Sequence, residues 1–139
     1  MNKHNQHNVG VDVAEMIAAL EPGLKRTVLR VLSYHIGRGQ ALGRKALVAE
    51  VRRMVPCHDR QVRLVINELR KDEVLICSTG GIDGGYWLAQ DDDEYQAYRA
   101  SEVVARIVDM NEQLRAMDAA ALRQFGPVPE GKQLNLMEV

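Results

Sequence analysis

Aromatic side chains are scarce in this sequence. Trp87, Phe125 and four Tyr are the only six in 139 residues, and a chain that is 46% hydrophobic with so few rings reads as a soluble, mainly helical protein. Long apolar runs are also missing, which excludes a membrane-spanning helix of roughly 20 residues. No apolar core follows the single Lys of MNKHNQHN, so nothing directs export and a cytoplasmic location is the expectation. Cysteine occurs twice, as Cys57 and Cys77. One pair at that separation makes neither a disulfide framework nor a zinc pattern, and both are expected as reduced thiols. The chain has no internal repeat. It also has no Walker or Rossmann phosphate loop, because the glycine-rich run TGGIDGG lies between two strand-like segments and opens no helix. Its length fits one domain with a sizeable core and a helical extension.

The formal net charge of −1 conceals a polarised distribution. Residues 24–71 hold twelve Lys or Arg against three acids, a net +9, whereas residues 72–98 hold seven acids and no base. A basic segment of this density is the footprint a phosphate backbone attracts, although a solvated helix face gives the same count.

Along the chain, residues 1–10 are polar, rich in Asn and His, and expected to be a disordered tail in which His4 and His7 hold no metal. Asp12 with Glu15 resembles a capping box ahead of Met16, Ile17 and Leu20, and that first helix stops at Pro22-Gly23. A second helix is expected over 24–36, its apolar face made by Val28, Leu29, Val31, Leu32 and Ile36. A third follows Gly43, with Leu47, Val48, Val51, Met54 and Val55 on one side. Pro56 breaks it, Asp59 is placed to cap the next helix, and Val62, Val65, Ile66 and Leu69 form the buried stripe there. Strands are expected over 74–78 and 85–89 around the glycine-rich loop, and a long last helix over 91–125 begins on Asp91, Asp92 and Asp93. Residues 126–139 read as a flexible tail.

No grouping of these residues looks catalytic, and the expectation is a protein that is not an enzyme and takes no cofactor or metal. Cys57-His58-Asp59 holds nucleophile, base and acid types, but consecutive residues at a helix start cannot orient one another as a relay. The acids Asp91 to Glu94 lack a second ligand set, and His35 has no partner in sequence view.

Two helices joined by a short break, the second Arg-rich, followed by two strands, make a helix-turn-helix candidate with a wing. The run from Asp59 to Ala89, DRQVRLVINELRKDEVLICSTGGIDGGYWLA, resembles winged helix-turn-helix domains of bacterial and phage type, in its Arg-rich second helix, its short I-C-S strand and its G-Y-hydrophobic return strand. The resemblance covers roughly residues 24–125. It implies a mainly α fold with a small β-hairpin wing over 11–90, a long C-terminal helix over 91–125 and duplex DNA as partner, and it specifies fold better than role.

Opposite the buried stripe of the second helix lie Arg60, Leu64, Asn67 and Lys71, flanked by Gln61 and Arg63. These are side-chain types that pair with guanine or adenine or touch a thymine methyl. Arg44, Lys45, Arg52 and Arg53 on the preceding helix suit phosphate contacts, which position without specifying. The wing TGGIDG has no Lys or Arg, and Asp83 repels phosphate, so little affinity is expected from it, and a winged-helix protein-interaction module without nucleic acid stays open as an alternative.

In the last helix Val103, Ile107, Met110, Leu114, Met117 and Ala121 recur at alternating spacings of four and three. This is a heptad seam that suits a homodimer or packing back onto its own domain. In the tail, Gln133, Leu134, Asn135, Leu136 and Met137 resemble the peptide by which bacterial replication proteins engage the β sliding clamp, with Asn in the third place and Met where Phe is usual. The functional expectation is therefore a DNA-binding protein, a phage or mobile-element replication accessory, with a dimeric transcriptional regulator as the alternative.

Overall fold

The computed structural model describes residues 13–81 and 84–127, which are mainly helical with one two-stranded antiparallel hairpin. Residues 13–19 are the described part of the first helix, α1. Three further helices follow, α2 (Leu24–Leu32), α3 (Arg44–Arg52) and α4 (Asp59–Lys71), and then β1 (Ile76–Thr79) and β2 (Gly85–Leu88). The chain continues through α5 (Asp92–Tyr98), a π-helical stretch Arg99–Val104 and α6 (Ala105–Phe125). By internal contacts it divides into two units, residues 1–102 and 103–139. The N-terminal segment 1–10, the Asp12 cap, Asp83 in the loop and the clamp-like tail all fall outside the described residues. Among the described residues no helix is long and apolar enough to cross a membrane.

The first unit is built on the stripes that periodicity marks out. Val28, Leu29, Val31 and Leu32 of α2, Leu47, Val48 and Val51 of α3, and Val62, Val65, Ile66 and Leu69 of α4 are all buried in one core. Val74, Ile76 and Leu88 close it, and Val13, Met16, Ile17 and Leu20 pack against it. Successive strand residues point to opposite sheet faces, so the register Ile76 to Leu88 and Cys77 to Trp87 sends the first pair into this core and the second pair away from it. The second pair is not left in water. Cys77, Trp87 and Ala89 form a smaller buried cluster against Tyr95 and Tyr98 of α5. Arg70 of α4 ties the layers together by donating to the Ile76 carbonyl and Ser78 Oγ, with its guanidinium 5.6 Å from the Tyr98 ring centre.

Four boundaries depart from the sequence expectation. The second helix stops at Leu32 rather than Ile36, because residues 35–37 are used as sheet edge: Leu88 N donates to the His35 carbonyl and Gly37 N to the Leu88 carbonyl. Ile36 is thus a bridge partner of Leu88 and not part of a helix face. The third helix ends at Arg52, which leaves Met54 55% exposed instead of buried. The hairpin's first strand starts at Ile76, two residues late, because the chain must first turn out of α4. The last helix is interrupted by the π-helical stretch, within which Ser101 Oγ donates to the Ala97 carbonyl. Leu42 and Tyr86 exchange both backbone hydrogen bonds, at 2.8 and 2.9 Å, so β2 has partners on both edges.

The turn out of α4 is a Schellman motif: Val74 N donates to the Leu69 carbonyl and Glu73 N to the Arg70 carbonyl. It places Glu73 at φ 72°, the one positive φ among the described non-glycine residues. A side chain there sits close to its own carbonyl, at a cost of about 1–2 kcal/mol that glycine escapes. Glu73→Gly is therefore expected to raise stability by about 1 kcal/mol in urea unfolding. A drop in stability would show that the Glu73 side chain makes compensating contacts.

Candidate nucleic-acid interface

The fourth helix is positioned by its start. Its N-cap is His58, not Asp59: His58 Nδ1 accepts from Gln61 N, and Gln61 Oε1 accepts from His58 N, closing a capping box one residue earlier than expected. Gln61 is consequently half committed, its oxygen spent on the cap and its amide NH2 left for other partners. The buried stripe fixes the rotation of α4, and the opposite face carries Arg60, Leu64, Asn67 and Lys71, all exposed. Leu64, 51% exposed in the middle of this polar face, is an apolar contact without a protein partner to match it. From Arg60 to Lys71 the face runs about 16 Å, the length of some five stacked base pairs.

Two arginines from different helices meet at the N-terminal end of this face. Asp59 bridges them, with Oδ1 3.2 Å from Arg44 Nε at the start of α3 and Oδ2 2.9 Å from Arg63 Nε one turn along α4. All three side chains are close to half exposed, so each pair is worth at most about 1 kcal/mol and yields readily to a stronger anion. Lys45, next to Arg44, is exposed. Arg52, at the far end of α3, donates from Nε to the Cys57 carbonyl just before the cap, and Arg53 pairs with Glu50 at 3.6 Å. The N-terminus of α4, which carries the positive end of its dipole, is thereby flanked by Arg44 and Arg52.

All ten candidate DNA-contacting residues lie on α3 or α4, save Arg53, which caps the end of α3. Sequence reading missed Asp59 as their shared counterion. The i to i+4 spacing of Asp59 and Arg63 is a legible signal, but the approach of Arg44 across the turn is not. His35 does have a partner, donating from Nδ1 to the Gln40 carbonyl at 2.7 Å. Cys57, His58 and Asp59 engage separate partners and form no relay. Burial in the second cluster pushes the Cys77 thiol up to about 11, with the Glu94 carboxylate adding to the shift, so the sulfur stays protonated near neutral pH. Asp91 and Glu94 are spent on capping α5, Asp91 Oδ1 accepting from Glu94 N and Glu94 Oε1 from Gln90 N.

The candidate dimer residues lie elsewhere. Val103 falls in the π-helical stretch, and Ile107, Met110, Leu114 and Met117 are exposed along α6. The clamp candidates Gln133, Leu134, Leu136 and Met137 lie outside the described residues. Compared with protein-family models, curated proteins and solved structures, the chain matches none.

Proposed function

We propose that this chain is a non-enzymatic duplex-DNA-binding protein built on a winged helix-turn-helix, with α4 as the recognition helix in the major groove and the hairpin as the wing. The observation that carries the proposal is the exposed face Arg60, Leu64, Asn67 and Lys71, set opposite a buried stripe and flanked at its N-terminal end by arginines of α3. Such a face offers guanine, adenine and thymine each a chemical match, and the flanking cations suit the phosphates on either side of the groove. The clamp-like tail bears on where such a protein would act and rests on sequence resemblance alone.

Fluorescence anisotropy with labelled random duplex, across a salt series, tests the proposal. About five phosphate contacts would give log K falling against log salt with a slope near −4 to −5. Absent or salt-independent binding would refute it. A protein-interaction module then takes its place, favoured by one feature: the loop TGGIDG carries no base to grip a backbone.

A further inference from the structure

The last helix, α6, is 21 residues long, about 32 Å, and none of its residues is buried. Ile107, Met110, Leu114 and Met117 are 62%, 66%, 45% and 69% exposed and share one stripe, which Ala121 extends and Phe125 borders. Asp109, Glu112, Arg115 and Arg123 occupy the other side. A helix draws most of its stability from packing an apolar face, and an open stripe of this length is a surface that water disfavours.

We propose that a second copy of this chain covers the stripe, the two α6 helices lying antiparallel. This goes beyond the DNA-binding proposal and does not depend on it. The seam is complementary to its own reverse. Centred on Glu112, the antiparallel pair sets Val103 on the partner's Ala121, Ile107 on the partner's Met117 and Met110 on the partner's Leu114, and each layer repeats by symmetry. A parallel pair in register would stack Ala121 on itself and open a gap at that layer. In the antiparallel arrangement Asn111 lies beside the partner's Asn111 and Gln113 beside the partner's Gln113, while Asp118 lies beside the partner's Val104, so no like charges meet. The four seam side chains expose roughly 100 Å² each, so two copies would cover about 800 Å², the low end of protein interfaces, where weak, reversible association sits.

Sedimentation equilibrium of the full chain is expected to show a reversible dimer with a midpoint of about 10 μM, in keeping with an interface of that modest size. Ile107→Asp with Leu114→Asp should give a monomer at every concentration, with the circular dichroism of a folded domain. A wild type that stays monomeric at 200 μM, about twentyfold above that midpoint, would overturn the proposal, and unfolding of the double variant in that case would place the stripe against its own chain. Orientation is read by crosslinking in a Cys57→Ser background. A mixture of Ile107→Cys and Met117→Cys proteins should oxidise to a mixed covalent dimer, with neither oxidising readily alone. Rapid oxidation of the Ile107→Cys protein alone would overturn the antiparallel pairing.

Discussion

Replacing Arg44, Lys45, Arg60 and Arg63 together with Ala should weaken duplex binding by at least several thousandfold, roughly 10^3.6, near 0.1 M salt, because every cation removed from a phosphate-facing surface forfeits close to a decade of affinity through counterion release. The effect should exceed what four charges alone explain. Asp59, now neutralised by Arg44 and Arg63, would then stand as a bare carboxylate beside the approaching backbone. The opposite change gives the opposite result: Asp59→Asn leaves the His58 cap intact and frees both guanidiniums, and binding to random duplex should tighten severalfold. Single substitutions separate readout from positioning. Arg60→Ala or Asn67→Ala should cost about 1–3 kcal/mol on a preferred site and flatten the preference at one or two base pairs, whereas Arg52→Ala should weaken all sequences alike. Site selection followed by anisotropy on matched duplexes distinguishes the two, and a uniform weakening from all three substitutions would mean that another face enters the groove.

Gly85→Val should destabilise the fold by about 3 kcal/mol, the upper part of the range for forcing extra volume into a packed site. A Cβ at position 85 would lie 2.6 Å from the Leu42 carbonyl oxygen and 3.0 Å from Gly43 N, both backbone atoms with no rotamer to swing aside. That carbonyl accepts from Tyr86 N, so the clash falls on the bond that joins the hairpin to the segment between α2 and α3. For a domain of this size the shift corresponds to a Tm lower by roughly 10–20 °C in thermal circular dichroism. Gly80→Ala, with nothing within 4 Å of its added carbon, serves as the control and should be close to neutral. A Gly85→Val protein within about 1 kcal/mol of wild type would show that the segment around Leu42 yields at little cost.

The stripes of α2, α3 and α4 were legible because Val, Leu and Ile recur there at helical spacing, and all the residues assigned to the α4 stripe are buried. Ile36 and Met54 were misread for a common reason: periodicity reports that a residue is apolar, not what makes use of it. Ile36 serves a sheet edge and Met54 lies exposed past the end of its helix. The cap at His58 escaped notice because His is not among the usual capping residues, while Asp59 beside it is. The exposed face of α4 followed directly from the buried one. The Arg44–Asp59–Arg63 cluster did not, since it depends on how α3 meets α4, and that is a tertiary fact.

The double pairing of β2 also bears on the order in which the chain folds. Its bonds to β1 close a short loop, whereas those to His35, Gly37 and Leu42 join residues more than forty positions apart. Loop-closure entropy sets in before such distant contacts repay it. The hairpin can therefore form early, but the outer edge of β2 gains its bridges only after α2, α3 and α4 have brought residues 35–42 beside it. Mutations at that seam should then speed unfolding and leave the folding rate nearly unchanged.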